Sequence, residues 1–170
     1  MLFIPTTPQG GSYNGTLSAL DIYTGELLWQ NTDSDIGYWD SPPVVVDGVI
    51  YINDWNEKTL GIDALTGQTV WERPTGGGTA TLAYHDGALY FDCEKDNPQH
   101  YYYYCLDTAD GASIWVYDYS QHGSSGIADG MLFFGEDESV NDSSRVIALY
   151  CETGAEVWSY RTSDLLISSV

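Results

Sequence analysis

Positive charge is nearly absent from this chain. Five Lys and Arg stand against 25 Asp and Glu, a formal net charge of −20 over 170 residues. With no basic stripe to neutralise phosphates, the composition argues against nucleic-acid binding. It also disfavours adsorption to an anionic membrane surface. No apolar run approaches the ~20 residues that a membrane-crossing helix needs, so no membrane insertion is expected. The opening MLFIPTTPQGG has neither the charged n-region nor the long apolar stretch of a signal peptide, and does not itself call for export. Cysteine is scarce too: Cys93, Cys105 and Cys151 show no CxxC spacing. They read as small buried residues, with a Cys93–Cys105 cross-strand bridge as the alternative. Helical periodicity over ten or more residues is missing throughout, which makes the chain all-β.

What the sequence does hold is a repeat. LDIYTGELLW at 20–29 returns as IDALTGQTVW at 62–71, LDTADGASIW at 106–115 and LYCETGAEVW at 149–158. Gly25, Gly67, Gly111 and Gly154, and with them Trp29, Trp71, Trp115 and Trp158, are therefore spaced by 42, 44 and 43 residues. Between the copies lie VVVDGVIYI, LAYHDGALYF and GIADGMLFF, which read as hairpins turned by Asp-Gly. Each unit then comprises four short strands, in the second unit about 42–46, 49–53, 60–65 and 69–73. Four-stranded units of about 43 residues have the period of β-propeller blades.

Within a blade, Thr-Gly turns the third strand into the outermost one. Asp21, Asp63 and Asp107 are placed to accept hydrogen bonds in that turn, a position Tyr150 breaks in the fourth unit. The Trp that follows offers a large flat surface with one N–H donor, suited to locking neighbouring blades. Ala19, Gly61, Cys105 and Ala148 are small at matching positions and leave room for such a ring.

The pattern A-x-D-x-x-T-G-x-x-x-W with its Asp-Gly hairpins resembles the pyrroloquinoline-quinone-type (PQQ-like) repeat family of β-propellers, across essentially the whole chain. The expected fold is one propeller domain over 1–170, with blades about 1–32, 41–75, 79–119 and 123–161. The opening MLFIP matches a second strand, and 164–170 matches a first strand, either of a further blade or of the first blade in a closed ring. Four blades make either a closed four-blade ring or half of a ring of about eight, completed by a second copy or by further sequence. The resemblance implies the larger ring, since family propellers usually have about eight blades.

Both kinds of turn fall at one end of the blades, so variable connections at the other end are where binding residues are expected. In NTDSDIGYWDSP, Asp33, Asp35 and Asp40 are candidate oxygen ligands for Ca²⁺, with Tyr38 and Trp39 beside them to stack on a sugar or flat ligand. The competing reading is an acidic loop whose aromatics pack on the next blade. Trp55 in NDWNEK is either a ligand platform or a cover for the inner strands. GEDESVNDSS, with Glu136, Asp137, Glu138, Asn141 and Asp142, reads as a solvated charge cluster. Asn14-Gly-Thr and Asn141-Asp-Ser fit the glycosylation pattern. His85, His100 and His122 have no metal-ligand spacing, and no catalytic set can be argued from position.

Quinone-dependent dehydrogenases of the family use an adjacent Cys-Cys pair, absent from this sequence. The repeat therefore does not bring the quinone cofactor with it. The reading that follows is a non-catalytic scaffold for protein or ligand binding, extracellular, at the cell surface or periplasmic, whose partner is another protein or a second copy. The alternatives are a Ca²⁺- or carbohydrate-binding surface module and a fragment of a quinone-dependent dehydrogenase.

Overall fold

Val49–Asn53 (β5) shows how local sequence sets the architecture. It follows Val44–Val46 (β4) through Asp47-Gly48, whose φ angles of 49° and 80° are the paired positive values of a type I′ turn. The same Asp-Gly geometry, with Asp φ of 47° and 51°, joins Ala83–His85 (β8) to Ala88–Lys95 (β9) and Ser125–Ala128 (β12) to Met131–Glu138 (β13). The computed structural model describes residues 1–6, 15–32, 42–54, 56–77, 81–95, 100–119, 125–138 and 143–162. Among them lie fifteen strands and no helix.

The remaining strands are Leu2–Thr6 (β1), Thr16–Leu20 (β2), Leu27–Asn31 (β3), Lys58–Asp63 (β6), Thr69–Pro74 (β7), His100–Asp107 (β10), Ser113–Tyr119 (β11), Ser143–Tyr150 (β14) and Glu156–Thr162 (β15). All pair antiparallel, as simple meanders: β1-β2-β3, β4-β5-β6-β7, β8-β9-β10-β11 and β12-β13-β14-β15. These are propeller blades, the first with three strands among the described residues. The chain divides into two compact units, residues 1–82 with blades 1 and 2, and residues 83–170 with blades 3 and 4.

The repeated phrase folds the same way in every blade. Gly25, Gly67, Gly111 and Gly154 have φ between 67° and 74°. At each turn the Gly N–H donates to the residue four positions earlier: Asp21, Asp63, Asp107 and Tyr150. Asp21 Oδ1 accepts from Tyr23 N and Thr24 N, and Asp63 Oδ1 from Leu65 N, Thr66 N and Thr66 Oγ1. Tyr150 keeps the backbone bonds alone. A bulge follows the small residue in each third strand, at 19/20, 61/62, 105/106 and 148/149. The two turns of a blade share one end, where Ala64 N, Thr108 N and Cys151 N donate to the carbonyls of Gly48, Gly87 and Gly130.

Each unit buries a layer between its two blades. In the first, Leu17, Ile50, Ile52, Leu60, Ile62 and Ala64 pack with Phe3 and Trp29. In the second, Tyr90, Tyr103, Tyr119, Phe134, Ile147 and Leu149 pack with Cys105 and Cys151. The tyrosine run of β10 alternates as strand geometry requires. Tyr101 and Tyr103 meet Tyr119, while Tyr102 and Tyr104 turn to the opposite side with Phe91.

The cysteine alternative is corrected. Cys93 lies opposite Tyr102, and Cys105 opposite Tyr90, so no Cys93–Cys105 bridge spans the two strands. All three thiols are free and buried.

Candidate functional site

The repeat tryptophans form the best-defined constellation. Trp29, Trp71, Trp115 and Trp158 stand opposite Ala19, Gly61, Cys105 and Ala148 on the neighbouring strand of their own blade. The small residue makes room for the ring: a Cβ on Gly61 would lie 2.7 Å from Trp71. Within each unit one such ring, Trp29 or Trp115, then reaches the next blade. Trp29 Nε1 donates to Ala64 O (3.1 Å), and a Cβ on Gly67 would sit 2.6 Å from its ring. Trp115 Nε1 donates to Cys151 O (2.7 Å), and a Cβ on Gly154 would sit 2.7 Å from its ring. These glycines thus combine a positive φ with an approach that admits no side chain. Repeat Trp and repeat Gly are two halves of one lock, a joint and not a catalytic motif.

The opposite end of the blades carries the buried polar groups, which repeat alignment reveals. Counting from Asp-Gly, the end of the second strand holds Asn53 and Asp54 in blade 2, Asp92 and Cys93 in blade 3, and Gly135 and Glu136 in blade 4. Asn53, Asp54, Asp92 and Glu136 are all buried. Asp54 Oδ1 accepts from Asn56 N and Lys58 N. Asp92 Oδ2 accepts from Tyr119 Oη at 2.8 Å, and burial followed by the Asp92 charge drives the Tyr119 hydroxyl well above its ordinary range. Glu136 pairs with Arg145 directly across β13 and β14, and Glu156 extends the network to Tyr117 Oη. Burial opposes the Arg145 charge, but the Glu136 bond and charge outweigh it and hold the guanidinium above its ordinary value.

Asn53 Nδ2 donates towards Thr59 Oγ1, Thr75 Oγ1 and Gly76 O, tying the second strand to the chain's exit from blade 2. Its Oδ1 is buried without a partner. Two of the thiols are unreactive in this setting: burial pushes Cys105 up to about 12 and raises Cys151 as well. Among the described residues, no three His, Cys, Asp or Glu side chains converge as metal ligands would.

Asp33, Asp35, Asp40, Tyr38, Trp39 and Trp55, the candidates for Ca²⁺ and ligand binding, lie outside the described residues. So do His122, Asn14, Asn141 and Asp142. Glu136, read from sequence as part of a solvated cluster, is instead buried and paired. The signal was present in the register: Glu136 and Asp54 occupy the same repeat position.

A meander of four antiparallel strands, repeated and locked by Trp on Gly, defines the class as a β-propeller of PQQ-like repeats. The chain belongs to the family whose model is described as outer membrane protein assembly factor BamB, matched over residues 6–95. Outer membrane protein assembly factor BamB of Moranella endobia is 38% identical over 60 residues, 35% of this chain and 14% of that protein. Tetrathionate hydrolase of Acidithiobacillus ferrooxidans is 26% identical over 164 residues, 87% of this chain and 31% of that protein. The solved structure of BamB from Moraxella catarrhalis shares the fold with a TM-score of 0.62 at 18% identity, covering 93% of this chain and 57% of that one. The chain thus spans about a third or less of the curated relatives it matches.

Proposed function

We propose that this chain is a non-catalytic propeller scaffold that binds protein partners in the cell envelope, in the manner of an outer-membrane assembly factor. The observation that carries this reading is the use made of the buried carboxylates. Asp54, Asp92 and Glu136 are each held by donors of their own blade, and burial keeps the Cys105 and Cys151 thiols protonated. These side chains, among the described residues, are thereby committed to the scaffold. The family match over 6–95 supports a role in assembly.

Among the described residues the outermost strands β3, β7, β11 and β15 each have one hydrogen-bonded neighbour, and so offer edges to an added strand. A suitable ligand is a peptide of about ten residues alternating apolar and polar, the pattern of outer-membrane β-strands. Biolayer interferometry with the immobilised chain tests this, with tetrathionate and pyrroloquinoline quinone plus Ca²⁺ as small-molecule arms. Saturable peptide binding with no tetrathionate consumption and no change in quinone absorbance is the expected result. Turnover of tetrathionate, or saturable quinone binding followed by reduction, would overturn the reading.

A further inference from the structure

Repeat alignment singles out one of the four outer strands. The residue before the repeat Trp is aliphatic and exposed in every blade: Leu28 (49%), Val70 (58%), Ile114 (48%) and Val157 (37%). The residue after that Trp lies on the same side of the strand. There β3 has Gln30, β7 Glu72 and β15 Ser159, whereas β11 has Val116, 47% exposed. Two residues further, β7 ends at Pro74 and β15 carries Arg161, groups that hinder an incoming strand, while β11 carries exposed Asp118. The remaining edge, β3, is five residues long against seven for β11. Along β11, exposed Ile114, Val116 and Asp118 alternate with Trp115 and Tyr117, whose polar atoms bond Cys151 O and Glu156 of blade 4. Its exposed row is thus an apolar pair closed by an acid.

We infer that β11 is the edge that takes an added strand, and that the strand it takes is basic. Between residues 79 and 119 Lys95 is the one Lys or Arg, against seven Asp and Glu, and the turn before β11 adds exposed Asp110. The occupant is an extended segment of another protein with two apolar side chains at alternate positions, flanked by Lys or Arg. Its apolar pair covers Ile114 and Val116, and a flanking cation meets Asp118. Backbone bonds to the edge supply affinity, and the charges select among strand-forming peptides. A second copy of this chain makes a poor occupant, because each copy carries a net charge of −20.

The inference rests on the scaffold reading and assigns its edge. Fluorescence anisotropy tests it with a labelled peptide alternating Val and Thr with Lys at each end, and with its counterpart ending in Glu. The Lys-ended peptide is expected to bind saturably and to weaken as salt rises, and the Glu-ended one to bind at least about tenfold more weakly. Val116→Lys should lose at least about tenfold in affinity for the Lys-ended peptide. Ser159→Lys, the same added charge at the equivalent position of β15, should bind as wild type does. Val116→Thr, close in shape and equally suited to a strand, keeps the edge intact and should show an intermediate loss. Equal losses in Val116→Lys and Ser159→Lys, or no loss in either, would overturn the assignment to β11 and leave the scaffold reading standing. Equal binding of the two peptides would overturn the basic ligand. A wild type that ignores both peptides and self-associates through β11 would overturn the inference in favour of a second copy, whereas tetrathionate turnover would overturn the scaffold reading itself.

Discussion

The two inter-blade layers share a lock and differ in everything around it. Between blades 1 and 2 the fill is aliphatic, and Asn31, two residues after Trp29, donates to Gly67 O at 2.7 Å. Between blades 3 and 4 the fill is aromatic, and Tyr117, two residues after Trp115, reaches Glu156 instead. Tyr103, Tyr119 and Phe134 there form a ring cluster with centroids 5.0 to 6.3 Å apart. The repeat therefore conserves a backbone-directed contact, Trp N–H to turn carbonyl, which any sequence can receive. The remaining volume is filled by whatever packs.

The sharpest way to break this comparison is to truncate one repeat position in both layers. Phe134 and Ile52 are equivalent and both essentially fully buried. Phe134→Ala should destabilise by about 4 kcal/mol and Ile52→Ala by about 3 kcal/mol, since the larger ring leaves the larger cavity. Urea midpoints measure both, and a reversed order would mean that the aromatic layer collapses around a void better than the aliphatic one.

The next contrast lies at the end of the second strand, where equivalent acids are held differently. Arg145→Met strips Glu136 of its counter-ion while the carboxylate stays buried, and should cost about 3 kcal/mol. Adding Glu136→Gln to it should recover most of that loss. Asp54→Asn, whose partners are backbone N–H groups, should cost less, about 1 kcal/mol. Thermal unfolding of the three variants checks the ranking; an Arg145→Met protein as stable as wild type would show that the pair contributes nothing.

Turns and strands were legible because they rest on local chemistry. Asp-Gly and Thr-Gly dictate positive φ within two residues, and the alternation of β10 follows from strand period alone. The Trp lock was legible only in outline. Small residues opposite the ring could be matched by register, but the glycine it lies on belongs to the next blade, 38 or 39 residues further along. Glu136–Arg145 and Asp92–Tyr119 escaped notice because each pair depends on exact cross-strand register, 9 and 27 residues apart. The cysteine bridge failed for the same reason, since a three-residue difference in register separates Cys93 from the partner of Cys105. The acidic and aromatic loop candidates carried composition without a repeat to place them.

The smallest expected effect concerns the third-strand turns, where the first unit has an acid that the fourth blade lacks. Turn bonds hold both carboxyls below their ordinary value of 3.8: backbone N–H groups of Thr24 and Tyr23 for Asp21, and the Thr66 hydroxyl with backbone N–H groups for Asp63. A carboxyl lowered by folding stabilises the fold above its unfolded-state value, and that contribution disappears as pH falls through the lower folded-state value. Asp21→Asn and Asp63→Asn should therefore lose stability at neutral pH and show a shallower decline on acidification than wild type. Tyr150 makes no such contribution, and its turn rests on backbone bonds and the bond from Ala155 N to Thr153 Oγ1. Tyr150→Asp should import the acceptor, adding about 0.5 kcal/mol at pH 7 that is absent at pH 2. Paired thermal melts at the two pH values would register the gain. A gain of equal size at both would place the effect in the loss of an exposed tyrosine and not in the turn.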